Sequence, residues 1–379
     1  MTILLRAQQV FDGTALHHDA AVSIGADGRI MALHPQGAPL PEGAGLVNLG
    51  ACILAPGLVD LQVNGGGGVM VGPDTDADQL ARICATHAHL GATAILPTLI
   101  TDTPEVTRQV IAVGLDAARR NVTGFAGLHL EGPHLDPARK GAHEARHIRP
   151  MTAEDLACLC DAAQGLPALM LTLAPEAVTL DQIATLDQAG AVVSLGHSGC
   201  SVGDAMAAHK AGARCVTHLF NAMGGLESRA PGLVGAALTT SLRAGIIADG
   251  VHVAPECLQV ALQMKARDDL FLVSDSMAVA GTSLPEFALN GRRILRRENR
   301  LTLDDGTLAG ADVTLPHSVA HLAGLGVPLE RALAMACRIP ADVIGAADRG
   351  CIRPGARADL VTLTPDLQLD GVWIGGARL

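Results

Sequence analysis

Ala191-Val192-Val193-Ser194-Leu195-Gly196-His197-Ser198 is a short, mostly apolar run closed by a glycine and then by two polar side chains. Its branched residues favour a strand. The lack of strict alternation suits a strand buried on both faces, as in a parallel sheet. Working outward, comparable runs recur at residues 53–63, 93–97, 124–130, 168–174, 213–218, 244–248 and 270–273, which with 191–195 makes eight. Between them lie segments such as 76–90 and 201–211, whose apolar residues fall at helical spacing. Eight buried strands alternating with helices predict an α/β fold, a (β/α)8 TIM-like barrel. An open, doubly wound sheet is the alternative. The flanks differ: residues 3–11, 21–24, 29–33, 359–363 and 371–374 are strand-like and punctuated by turns such as Asp12-Gly13. Neither flank is large enough to bury a core alone. They are expected to pair into a small β-sandwich domain, residues 1–55 plus 351–379, beside a barrel over 56–350.

In a barrel the C-terminal strand ends converge on one mouth, whatever their separation along the chain. Those ends read Asp60-Leu61-Gln62-Val63-Asn64, His129-Leu130-Glu131, Gly196-His197-Ser198, Thr217-His218-Leu219 and Ser274-Asp275. Glu131, His197 and His218 offer one carboxylate and two imidazoles, a set suited to a divalent transition metal with positions left for water. A metal there would lower the pKa of its water from 15.7 to roughly 7. Asp275 is placed to take a proton from that water and return it to a departing amine. Each residue alone has a plainer reading: a satisfied structural histidine, a turn cap at Glu131, a helix cap at Asp275. It is their joint occurrence on several strand ends that favours a metal site. His87 and His89 are different, because they lie two apart in a helical segment, do not share a face, and are read as non-ligands. Gly65 to Gly68 lacks the spacing of a dinucleotide or phosphate loop.

A net charge of −11 argues against non-specific nucleic-acid binding. No apolar run is long enough for a membrane span. Nine cysteines without framework spacing suggest reduced thiols, and residues 1–13 show no secretion leader, so a cytoplasmic protein is expected. Aromatic residues make up 2% of the chain, with no tyrosine, so a sugar site built on aromatic stacking is not expected.

The strand ends belong to longer stretches: Ala55-Pro56-Gly57-Leu58-Val59-Asp60, Gly127-Leu128-His129-Leu130-Glu131-Gly132-Pro133, Lys140-Gly141-Ala142-His143, Thr217-His218-Leu219-Phe220-Asn221-Ala222-Met223, Asp249-Gly250-Val251-His252 and Gly306-Thr307-Leu308-Ala309-Gly310. In this order they resemble the amidohydrolase superfamily and, inside it, the N-acetylglucosamine-6-phosphate deacetylase family. The resemblance implies hydrolysis of an N-acetylated amino-sugar phosphate to the free amine and acetate by a metal-bound hydroxide. The galactosamine epimer, another amidohydrolase reaction on a cyclic amide or amine, and a non-catalytic scaffold are the alternatives. It implies Glu131, His197 and His218 as metal ligands, Asp275 as the catalytic acid/base, and His143 as the residue that polarises the acetyl carbonyl. Arg229 and His252 are similar to a phosphate-binding pair. Ala142, Asn221, Ala222, Leu308, Ala309 and Gly310 are similar to sugar-contacting positions. One divalent metal per subunit is implied, with zinc in first place and iron, cobalt or manganese also able to take these ligands. A homodimer is implied as well, and part of the phosphate site could come from the neighbouring subunit. Gln62-Val63-Asn64 stands where many relatives carry His-x-His and two metals, which points to a single metal here. Asp312, and residues 276–281 after Asp275, also depart from the family pattern.

Overall fold

The computed structural model describes residues 2–379, so residue 1 of the expected small domain lies outside it. Eight parallel strands form the central sheet: β1 (Leu58–Val63), β2 (Ala92–Ile100), β3 (Leu128–Glu131), β4 (Leu169–Leu173), β5 (Val192–Leu195), β6 (Cys215–Val216), β7 (Arg243–Ile246) and β8 (Leu270–Leu272). Each pairs with the next. The chain beyond β8 returns to β1 through a parallel bridge between Val63 and Ser276, so the sheet closes into a barrel. Helices lie between strands, as the periodicity predicts. The one after β5 spans Val202–Ala211, and Ser201 and Asp204 cap each other's backbone N–H groups at its start.

The run at 53–63 needs a correction, because it is two strands. Ile53–Pro56 pairs with Leu360–Leu363 and with Ile3–Phe11 in the small sheet, and only Leu58–Val63 enters the barrel. The partners change at Gly57, whose N–H donates to the Asp359 carbonyl while the next N–H, of Leu58, donates to Gly91. A Cβ on Gly57 would overlap the Thr93 side chain, so the crossing needs glycine.

Strands from both ends of the chain share that small sheet, with Ile3–Phe11 near its centre. A bridge between Arg29 and Arg357 brings its flanks together over Leu5, Val10, Val22, Leu54, Leu360 and Trp373. Burying each large apolar side chain contributes roughly 1.5–3 kcal/mol.

A four-stranded antiparallel sheet, unforeseen in the sequence, intervenes after β8: β9 (Glu286–Leu289), β10 (Arg292–Arg297), β11 (Arg300–Thr302) and β12 (Leu308–Ala311). Four of the six residues of β10 are arginine, which hid its strand character. The sheet has its own core of Met277, Val279, Leu289, Ile294, Leu301 and Ala309, and it forms one wall above the barrel mouth. Asp312 finds its role here: its carboxylate takes two N–H groups of Arg296, which also donates to the Thr282 carbonyl. Among the described residues no helix is long and apolar enough to cross a membrane.

Beneath the mouth the barrel interior is polar. His129 Nδ1 donates to the Leu61 carbonyl (2.9 Å), so Nε2 accepts from Thr172 Oγ1 (2.7 Å). Thr172 is joined to Thr217, and Thr217 to Ser194, at 2.6 Å each. This buried chain links β1, β3, β4 and β5 to the segment after β6. Burial pushes the His129 pKa down to about 4, so it packs as a neutral ring.

Candidate active site

His197, His218 and Asp275 all follow barrel strands and all adopt left-handed backbone, with φ of 48°, 30° and 49°. Such conformations in non-glycine residues cost of order 1–3 kcal/mol each. They turn the chain sharply as it leaves the barrel, and the three side chains line one cavity with Glu131.

Three ligand atoms meet there. Glu131 Oε1 is 3.1 Å from His197 Nε2 and 3.0 Å from His218 Nε2, and the two nitrogens are 3.1 Å apart. Around a metal bonded at about 2.1 Å, neighbouring ligand atoms lie roughly 3.0–3.4 Å apart. The tautomer of His197 supports the same reading. Its Nδ1 lies 2.9 Å from the Arg139 carbonyl, which can only accept, so Nδ1 carries the hydrogen and Nε2 presents a lone pair to the carboxylate. Two acceptors face each other, an arrangement that a cation between them would stabilise. Burial would raise the Glu131 pKa, but the adjacent imidazoles of His197 and His218 hold it well below the usual carboxylate range. Burial would likewise lower that of His218, yet Glu131 raises it; the electrostatics favour positive charge at this point. The residues therefore fit a divalent metal.

Glu131, His143 and His197 also place ligand-capable atoms within 4.8 Å of one another, so His143 competes with His218 as third ligand. Hydrogen bonding favours His218. The Thr101 backbone N–H donates to His143 Nδ1 (3.3 Å), so Nε2 carries the hydrogen and faces the triangle as a donor. Burial, with His197 beside it, lowers the His143 pKa to about 3, which keeps the ring neutral. Its Nε2 lies 3.8 Å from Glu131 Oε2, beside the triangle.

Across the mouth, Asp275 Oδ1 accepts from Gln62 Nε2 (3.1 Å) and Asn64 Nδ2 (2.7 Å). Gln62 Nε2 also donates to Glu131 Oε1 (3.1 Å) and thus bridges the two carboxylates. Burial, then the charge of Glu131, raises the Asp275 pKa to about 6. Asp275 begins no helix, and Glu131 points into the cavity, so neither plainer reading holds.

The cavity, of about 260 Å³, is also lined by Ala142, His143, Asn221, Ala222, His252, Leu308 and Gly310. His252 Nδ1 is 2.6 Å from Asp249 Oδ2, both side chains being buried. Two expected contacts lie elsewhere. Ala309 is fully buried in the core of the antiparallel sheet, because alternation turns its side chain away from those of its neighbours. Arg229 is exposed in the segment 225–230 and does not reach the cavity of its own chain. His87, read as a non-ligand, is buried with Nε2 2.9 Å from the Gly65 carbonyl.

Sequence reasoning missed Thr101, which orients His143. Its signal was available, as a polar residue directly after β2, a strand end to which no function was assigned. It also missed the Arg139 carbonyl and the donation by Arg292 to the Ala142 carbonyl, since neither contact follows from residue type.

The amidohydrolase family model matches residues 53–379. The chain is 38% identical to N-acetylgalactosamine-6-phosphate deacetylase of Shewanella sp. (strain ANA-3), over 86% of this chain and 83% of that protein. It is 35% identical to N-acetylglucosamine-6-phosphate deacetylase of Haemophilus influenzae, over 92% and 91% of the two. The crystal structure of N-acetylglucosamine-6-phosphate deacetylase from Pasteurella multocida superposes with a TM-score of 0.95 at 32% identity, covering 100% of both chains.

Proposed function

The chain belongs to the amidohydrolase family, and from that premise we propose that it hydrolyses N-acetyl-D-glucosamine 6-phosphate to D-glucosamine 6-phosphate and acetate. The observation that carries the reading is the convergence of three ligand atoms on one point, with the Asp275 carboxylate and the Nε2–H of His143 beside it. Glu131, His197 and His218 would hold the metal, zinc in the first instance. When bound, it supplies Lewis acidity to the water nucleophile and to the acyl oxygen.

The chain's own groups do the rest. Asp275 accepts the proton of the attacking water. Both amides bind its Oδ1, so Oδ2 is left for that proton. A pKa raised to about 6 also lets the protonated acid return it to the departing nitrogen near neutrality. His143 donates Nε2–H to the acyl oxygen as charge develops there. The cavity lining contains no lysine or arginine. Phosphate recognition therefore falls to His252 and to Arg229 of a second copy, which makes a homodimer part of this reading. Ala142, Asn221, Ala222, Leu308 and Gly310 enclose the sugar. A cytoplasmic setting accords with nine free cysteines.

One observation favours a second substrate, the galactosamine epimer: the relative at 38% identity is named for it. Metal analysis of purified protein, combined with acetate release from both phosphorylated epimers and their unphosphorylated forms, separates the possibilities. Acetate from the phosphorylated gluco epimer is expected. A metal-replete protein that releases none from either phosphorylated epimer would overturn the reading, and a faster galacto reaction would reassign the substrate.

A further inference from the structure

The barrel closes along an irregular seam. β8 stops at Leu272, and the chain reaches β1 only through the Val63–Ser276 bridge and the Asn64 N–H donating to the Ser276 carbonyl (2.9 Å). Asp275 lies on this seam, between the last regular residue of the barrel and its only bridge to β1. The Ala311 N–H donates to the Asp275 carbonyl (2.9 Å) from the antiparallel sheet, but on the barrel side no ladder holds its left-handed backbone, so something else must fix it there.

Asp60 is buried in β1, 1% exposed, directly below. Its Oδ1 accepts from the Ser274 N–H and the Gln62 N–H, both at 3.2 Å, and its Oδ2 is 3.3 Å from the same Ser274 nitrogen. Ser274 Oγ completes the bracket by donating to the Gln62 carbonyl (3.4 Å) and accepting from the Ser276 N–H (3.2 Å). One carboxylate thus holds the residue before Asp275 and the residue whose amide bridges Asp275 to Glu131. It stands in for the missing ladder at the point where the acid/base group meets the metal ligands.

We infer that Asp60 is a positioning residue for the deacetylation: it closes the barrel seam and thereby sets Asp275 against Gln62 and the metal-binding triangle. It touches neither substrate nor metal and acts through the peptides of Ser274 and Gln62. The inference rests on the proposed function for the role of Asp275 and on the seam's own geometry for the bracket.

Asp60→Ala removes the acceptor for both N–H groups, whereas Asp60→Asn keeps one acceptor oxygen in place. In Asp60→Ala, metal content is expected to be unchanged, KM to stay within about twofold, and kcat per bound metal to fall about 10²-fold, the scale of a misplaced catalytic group. Asp60→Asn should recover most of that loss. Amide hydrogen exchange reads the bracket without any substrate. Protection of residues 273–277 should fall about tenfold or more in Asp60→Ala while the segments around Glu131 and His197 keep theirs. Should Asp60→Ala fail to fold, Ser274→Ala tests the same bracket, with a smaller fall in kcat and the same local loss of protection. Unchanged protection at 273–277 in the folded variant overturns the inference. So does a kcat within about twofold of wild type, or an Asn variant as impaired as the Ala variant. Acetate release by the wild-type protein tests the function separately from these comparisons.

Discussion

The two halves of the barrel mouth are built on opposite principles. On one side, at the ends of β3, β5 and β6, a carboxylate and two imidazoles press together at 3.0–3.1 Å, with the Nε2 lone pair of His197 facing the carboxylate. On the other, along the seam between β1 and β8, the Asp275 carboxylate is wrapped by two neutral amides and braced from below by Asp60. The first half is electrostatically incomplete without a cation. The second needs no cation, because neutral amides already donate to its carboxylate, whose pKa burial and the charge of Glu131 raise to about 6. One half is suited to holding a metal and the other to moving a proton, and Gln62, bonded to both carboxylates, joins them.

The largest effect that can break this division is at Glu131. Glu131→Gln removes the only anion from the triangle, so metal content should fall to near zero and turnover with it. Full metal occupancy in that variant would show that the triangle is not the binding site. Asp275→Asn should do the converse, retaining metal while turnover falls on the order of 10²–10⁴-fold. Loss of metal from this variant would merge the two halves into one.

A smaller effect distinguishes the halves by pH. His87 braces the seam through the Gly65 carbonyl, and burial lowers its pKa from 6.5 to about 4. Between those values the unfolded chain binds the proton that the folded chain excludes. The stabilisation is therefore complete above pH 6.5 and is lost as pH falls through 4, on the order of 3 kcal/mol in all. Denaturant unfolding at pH 7 and pH 4 should show a shallower decline for His87→Gln than for the wild type, and equal declines would remove His87 from this account. Smallest is Arg229→Ala, which should raise KM for a phosphorylated substrate about tenfold, the size of one lost charge contact, and leave unphosphorylated substrates unaffected. An unchanged KM would take Arg229 out of phosphate recognition.

Much of the barrel was legible because its strands are buried on both faces and so stand out as apolar runs. The antiparallel sheet was not, because its strands are half exposed and rich in charge: Arg292, Arg293, Arg296 and Arg297 mask the apolar pair Ile294 and Leu295. Glu131, His197, His218 and Asp275 were legible as polar residues at strand ends. Thr101 was overlooked beside them, although it follows β2 in the same way.

By itself the sequence determined the alternation of strands and helices, the ends that carry ligand-capable residues, and the absence of histidine at Gln62 and Asn64. These are local properties, set by hydrophobic periodicity and residue type. Only the tertiary structure decided what each group does. Which imidazole nitrogen bears a hydrogen depends on a carbonyl at Arg139 and an N–H at Thr101, both remote in sequence from the rings they orient. The orientation of His143 toward Thr101, the partnership of Asp60 with Ser274, and the outward placement of Arg229 likewise rest on groups brought together by barrel closure. A hydrogen bond depends on distance and direction between groups, and the order of residues along a chain fixes neither until the chain has folded.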